Sequence, residues 1–140
     1  QNVECFHGPG GFEEFTSVAN FLVCLLPLNG DTADIINKDT LALLPKGAYV
    51  INAARGGHVV EGDLLNAINS GHIAGAALDV FRTEPLAPDH PFWAHPNIHV
   101  TPHVAALTNP LTAARLVAKN IQRAAAGQPP DNLVDLRRGY

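Results

Sequence analysis

The chain has 140 residues, 46% of them hydrophobic and 16% charged, and a net charge of −4. These values belong to a folded domain with a modest core and exclude a disordered chain. The acidic balance provides no footprint for nucleic acid or an anionic membrane, and the longest apolar stretch, 21–26, is far too short to span a bilayer.

Residues 3–6 read as a short strand, followed by the turn-rich His7-Gly8-Pro9-Gly10-Gly11. Residues 12–18 can form a short helix, with Phe12, Phe15 and Val18 at three-residue spacing. Residues 21–26 are a buried strand stopped by Pro27, and 28–36 form a loop or irregular helical turn. Asn37 is placed to cap a helix running to Leu44, with Leu41 and Leu44 inward and Pro45-Lys46-Gly47 ending it. Cys5 and Cys24 both fall in apolar runs, so they read as buried thiols in a reducing compartment rather than a disulfide. Residues 1–20 do not read as a signal peptide, and the expected location is cytoplasmic.

The organising stretch is Ala48-Tyr49-Val50-Ile51-Asn52-Ala53-Ala54-Arg55-Gly56-Gly57. An apolar run of this length, bounded by turn residues, reads as a strand buried on both faces. Residues 61–69 follow as a helix with Leu64, Leu65 and Ile68 on one face and Gly71 as its stop. Residues 73–80 are a second central strand, 81–97 a long proline-rich loop, and 98–101 the last strand. A long helix starts near Pro110, carries Leu111, Ala114, Ala118, Ile121 and Ala125 as its stripe, and stops at Gly127-Gln128-Pro129-Pro130. The expected organisation is 1–107 as one domain and 108–140 as a helix and tail leaving it.

Alternating strands and helices predict an α/β, doubly wound parallel sheet with helices on both faces. In such a sheet the carboxyl ends of the strands share one edge, where ligands bind. Pro27, Arg55, Asp79 and His103 therefore converge. A guanidinium at that edge can hold a carboxylate through two parallel hydrogen bonds. His103 can act as a general acid, with Glu84 on its other nitrogen fixing the tautomer. Arg, Glu and His together suit reduction of a 2-keto acid. No metal is expected: His95, His99 and His103 repeat every four residues, but Pro96 and Pro102 forbid the single helix that would align them. Ser17 and Ser70 have no nucleophile-elbow context.

Several motifs carry a resemblance. Leu26-Pro27-Leu28-Asn29, Asn52-Ala53-Ala54-Arg55-Gly56-Gly57, Gly75-Ala76-Ala77-Leu78-Asp79-Val80-Phe81, Glu84-Pro85 and Thr101-Pro102-His103 stand in the order found in D-isomer-specific 2-hydroxyacid dehydrogenases. The sequence resembles the C-terminal half of that family, and Pro91-Phe92-Trp93-Ala94-His95-Pro96 and the ending Arg137-Arg138-Gly139-Tyr140 are closest to its glyoxylate/hydroxypyruvate reductase A branch. The resemblance implies a Rossmann-like domain and an oxidoreductase moving hydride between NAD(P)H and glyoxylate or hydroxypyruvate. It implies Arg55, Glu84 and His103 as catalytic residues. It implies Leu26, Pro27, Ala53, Ala54, Arg55, Asp79, His103 and Ala105 as cofactor-binding, with Asp79 on the nicotinamide carboxamide. Asn29-Gly30 departs from the Thr-Pro frequent in the family.

No Gly-x-Gly-x-x-Gly follows any strand, so the fingerprint that holds a dinucleotide pyrophosphate and the strand before it are absent from these residues. With no methionine and Gln1 first, the reading expects a piece of a longer protein, inactive by itself. Residues 3–6 are matched to the strand after the missing one; an open slot between them and 21–26 is too costly, so either they move inward to pair with 21–26, or a second chain fills the slot, or the missing segment lies outside these residues. His7-Gly8-Pro9-Gly10 then stands where an acid would read the ribose, and its lack of one leans the cofactor to NADP over NAD. Partners are expected to be a small 2-keto acid and a second copy in a homodimer, with no nucleic acid and no membrane. Alternatives are a dehydrogenase-like corepressor that binds protein, or a phosphoglycerate or formate dehydrogenase.

Overall fold

Four apolar runs become the strands β1 (Phe21–Cys24), β2 (Ala48–Asn52), β3 (Ile73–Leu78) and β4 (Ile98–Val100). In the computed structural model, which describes residues 3–8 and 10–137, they form one parallel sheet in the order β1-β2-β3-β4. Register pairs Leu22 with Val50, Val50 with Ala76, and Ala76 with Ile98. The helices are α1 (Gly11–Val18), α2 (Lys38–Leu43), α3 (Glu61–Asn69) and α4 (Pro110–Ala125). The chain divides into two units, Gln1–Ala105 and Ala106–Tyr140.

Local chemistry explains the helix ends. Asn37 accepts hydrogen bonds from the Asp39 and Thr40 amides, as its sequence position predicts. Gly71 takes a φ of 71°, the left-handed stop that follows α3. Leu41, Leu44, Leu64 and Ile68 are buried, and the core they join includes Ile36, Val50, Ile73 and Phe92. Burying each such side chain contributes about 1.5–3 kcal/mol before entropy is counted.

Right-handed crossovers taken steadily in one direction across a sheet put their helices on one side. α1 packs on α2, α2 on α3 and α3 on β3. The residues that alternate with the buried positions lie on the other face. Phe21 and Val23 there are exposed, and Tyr49 and Ile51 are partly buried.

The reading of 3–6 as a strand is corrected by the structure. These residues form no strand, and none of them pairs with β1. Phe6 instead packs on Phe15 of α1, with ring centroids 6.0 Å apart. A strand needs a neighbour's backbone groups, and this segment takes its contacts from α1 instead. Cys5 is consequently exposed rather than buried, while Cys24 is buried as expected. His7 and Gly8 follow this segment without a strand before them, and Pro9 lies outside the described residues. The outer edge of β1 has no partner among the described residues.

Three strands also stop short of their apolar runs, at Cys24, Leu78 and Val100. The residues beyond them turn into the loops of the carboxyl edge, where Asp79 and Thr101 take up other hydrogen bonds.

In the second unit, Asn109 caps α4 through the Leu111 and Thr112 amides. The tail folds back on the same helix: the Asp131 amide donates to Asn120 Oδ1 at 2.8 Å, and Asp131 also pairs with Lys119 and Arg123. Leu111 and Ile121 of the predicted stripe are exposed.

Candidate active site

The carboxyl end of β2 builds the first part of the site. Asn52 is buried, and its side chain accepts from the Ala54 amide at 3.1 Å and donates to the Arg55 carbonyl at 3.0 Å. This Asx-type turn lifts Arg55 out of the sheet. His58, with no exposed surface, places Nδ1 2.9 Å from the same carbonyl. The Arg55 backbone is thus pinned from two sides, while its side chain is exposed and Nη1 donates to the Ala54 carbonyl at 2.6 Å. Gly56 is required by packing. A Cβ there would lie 1.9 Å from the Phe81 carbonyl carbon, so only glycine lets this turn meet the loop after β3.

The end of β3 builds the second part. Asp79 is buried, and its carboxylate accepts from Thr101 Oγ1 at 2.5 Å and from the Val104 and Ala105 amides at 2.9 Å each. Burial pushes its pKa up, but the hydrogen bonds from Thr101, Ala105 and Val104 and the charge of His103 outweigh that and hold it below the ordinary value. Those bonds shape the 101–105 loop. His103 sits there at a φ of 56°, and its amide donates to the carbonyls of Asp79 at 2.9 Å and Thr101 at 3.1 Å. A left-handed non-glycine residue costs about 1–2 kcal/mol. Hydrogen bonds to a charged acceptor, at about 1.5–3 kcal/mol each, are enough to offset it.

Glu84 reaches the loop from the other side. Its Oε2 is 2.8 Å from His103 Nδ1, and its Oε1 accepts the Phe81 amide at 2.9 Å. The hydrogen bond from His103 and then that from Phe81 hold its pKa below the ordinary value; slight burial opposes them, and the charges of His103 and Arg55 add to them. An ionised Glu84 fixes the proton on Nδ1 and leaves Nε2 of His103 free to exchange a proton with a ligand.

Arg55, Glu84 and His103, separate in sequence, line one cavity of about 400 Å³ together with Leu28, Gly57 and Arg82. A more apolar cavity of about 280 Å³, lined by Leu86, Trp93 and Val100, adjoins the same Glu84 and His103. The other predicted residues lie along the same edge but do not line the larger cavity. Leu26, Pro27 and Ala105 are exposed on their loops, Ala53 is partly buried, and Ala54 is buried. Asp79 turns its carboxylate to the 101–105 loop, with three hydrogen bonds already made. Among the described residues no three His, Cys, Asp or Glu side chains gather as metal ligands. His95 is engaged with Asn69, and His99 lies on β4.

Sequence reasoning missed Asn52, His58 and Thr101 as supports. Asn52 and Thr101 stand inside the motifs already singled out, so position at a strand end was the available signal. His58 stands three residues after Arg55, whose carbonyl it meets, but its burial against the Pro27 carbonyl, 3.4 Å from Nε2, joins residues distant in sequence and leaves no mark in the spacing.

The sequence matches the family described as D-isomer specific 2-hydroxyacid dehydrogenase, NAD binding domain, over residues 5–105. It is 49% identical over 138 residues to glyoxylate/hydroxypyruvate reductase A of Klebsiella pneumoniae (strain 342), covering 99% of this chain and 44% of that relative. The fold superposes with a TM-score of 0.94 on a D-isomer specific 2-hydroxyacid dehydrogenase from Xanthobacter autotrophicus Py2 in complex with NADPH and MES, at 48% identity over 97% of this chain and 56% of that one. An NADPH-dependent glyoxylate/hydroxypyruvate reductase from Sinorhizobium meliloti, in complex with NADP and sulfate, gives a TM-score of 0.90 at 41% identity over 96% of this chain and 44% of that one. The chain thus spans about half the length of the relatives it matches. With Arg55, Glu84 and His103 gathered at the carboxyl edge of a parallel sheet, it belongs to the D-isomer specific 2-hydroxyacid dehydrogenases and carries their NAD-binding domain.

Proposed function

We propose that the complete protein carrying this chain reduces a small 2-keto acid, glyoxylate or hydroxypyruvate, to the 2-hydroxy acid. The observation that carries the reading is the 2.8 Å contact between His103 and Glu84 on the same cavity as Arg55. Arg55 binds the carboxylate and polarises the keto oxygen. His103, held by Glu84 through Nδ1, gives the proton on Nε2 to that oxygen. Glu84 stays ionised and stabilises the imidazolium before transfer.

The nicotinamide nucleotide supplies the hydride when bound. The residues present fit its nicotinamide end, because Leu26 and Pro27 offer an exposed apolar lip at the carboxyl edge, on the loop after β1 whose Leu28 lines the cavity with Arg55 and His103. They contain no glycine-rich turn for its pyrophosphate, so the isolated 140 residues are proposed to be inactive. NADP is the preferred form, supported by the two relatives crystallised with NADPH or NADP. In this reading residues 1–107 are the C-terminal part of the nucleotide-binding domain, and 108–140 return to a substrate domain outside the chain. A homodimer is the proposed assembly, supported by exposed Leu111 and Ile121, and sedimentation of the complete protein tests it. No helix among the described residues is long and apolar enough to cross a membrane.

The test is the rate of NADPH and NADH oxidation by the complete protein with glyoxylate and hydroxypyruvate. His103→Ala should lower kcat by about 10²–10⁴. Unchanged kcat in that variant would remove His103 from the reaction.

A further inference from the structure

Arg82 lies two residues before Glu84, on the loop after β3, and its polar groups reach three other segments. Its amide donates to Glu61 Oε1 at the start of α3 at 3.2 Å. Its Nε donates to the Val59 carbonyl at 2.7 Å. Its Nη2 pairs with Asp34 Oδ1 in the 28–36 loop. Asp34 is itself held, at a φ of 56°, with its amide on the Gly57 carbonyl at 2.9 Å. Glu61 also faces His90 Nε2 at 3.6 Å, which ties the far end of the proline-rich loop to the same carboxylate.

The loop that these contacts hold is the one that aims Glu84. Between Arg82 and Glu84 there is one residue, and Glu84 Oε1 closes back on the Phe81 amide. Any slackening of the backbone at 81–82 therefore moves the carboxylate that orients His103. A solvated arginine on an exposed loop needs no such set of partners. Nor does its charge serve only to fill the cavity, because the Asp34 carboxylate neutralises it while Nε is spent on a carbonyl.

We propose that Arg82 is a positioning residue: its side chain straps the Glu84 loop to Val59 and Asp34, and so fixes the Glu84–His103 contact. The inference deepens the reductase reading and rests on it. It assigns Asp34 and Glu61, neither in contact with the cavity, to the same strap.

The experiment uses the complete protein and the variants Arg82→Met, Arg82→Lys and Asp34→Asn. Three readouts are taken: kcat against KM for glyoxylate, the pH profile of kcat, and hydrogen exchange of the Phe81 amide. In Arg82→Met, kcat should fall about 10- to 100-fold, as for a displaced catalytic group. Its pH profile should move the same way as that of Glu84→Gln, and Phe81 exchange should quicken. Arg82→Lys keeps the charge beside Asp34 but not the planar donor fork, so it should recover part of kcat. Asp34→Asn should show the same changes, smaller. A fall in kcat with an unmoved pH profile and unchanged Phe81 exchange would overturn the proposal, as would wild-type kinetics in Arg82→Met. If Arg82→Met is insoluble, Asp34→Asn carries the test with the same readouts. If the wild-type protein reduces no keto acid, the reductase reading fails, and Phe81 exchange still decides whether the strap exists.

Discussion

Replacing Gly56 by alanine tests how the two halves of the site are joined. The added Cβ would stand 1.9 Å from the Phe81 carbonyl carbon, 2.1 Å from its oxygen and 2.4 Å from the Arg82 nitrogen. Ordinary contacts begin at 3.4 Å, so the 81–82 backbone must withdraw by about 1.5 Å. Three hydrogen bonds start from that backbone or its side chain: Phe81 to Glu84 at 2.9 Å, Arg82 to Glu61 at 3.2 Å and Arg82 to Val59 at 2.7 Å. Each involves a charged group, and such bonds contribute about 1.5–3 kcal/mol. Losing two of the three costs about 4 kcal/mol, in the range reserved for severe core changes. The assay is urea unfolding of the complete protein, with kcat measured in parallel. Gly62→Ala is the control, since a Cβ there meets nothing within 4 Å and α3 should gain up to about 1 kcal/mol. Gly57→Ala is the intermediate case, because its 2.9 Å contact is with a mobile Leu28 methyl. A shift under about 1 kcal/mol for Gly56→Ala, with kcat intact, would refute the account of this crossing.

Asp79→Asn should destabilise the complete protein by about 2–4 kcal/mol at neutral pH, because an amide oxygen cannot replace a carboxylate that accepts three hydrogen bonds. Asp79 is held below its ordinary value of 3.8, so its contribution is full above that pH and is lost as pH falls through the lower folded value. The gap between variant and wild type in thermal unfolding should therefore narrow only in acid, and an equal gap at every pH would count against it. Glu84→Gln should change the pH profile of the reduction, because the carboxylate that the His103 and Phe81 hydrogen bonds hold below its ordinary value is replaced by an uncharged amide; steady-state rates across pH read this, and a superimposable profile would reduce Glu84 to a loop residue. Asn37→Ala should cost about 1 kcal/mol by uncapping α2, measured in the same urea titration, with keto-acid kinetics unchanged.

Much of this protein is set by local sequence. Period and run length place the four strands, Asn37 and Gly71 mark helix ends, and Arg55, Asp79 and His103 fall just after strands at the carboxyl edge. These signals are legible because each depends on a few neighbouring residues and on backbone chemistry common to all chains. Tertiary structure decided the rest. Residues 3–6 read as a strand by their local pattern, yet strand pairing is a tertiary event, and in the fold Phe6 packs on Phe15 of α1 while the segment stays unpaired with β1. Cys5 is exposed for the same reason. The resemblance implies Asp79 as a cofactor contact, and only the fold shows that its carboxylate also accepts from Thr101, Val104 and Ala105. The contact of His58 Nε2 with the Pro27 carbonyl and the strap from Arg82 to Asp34 join residues far apart in sequence. Such pairings leave no periodic trace, because distance along the chain does not limit which side chains a packed sheet edge brings together.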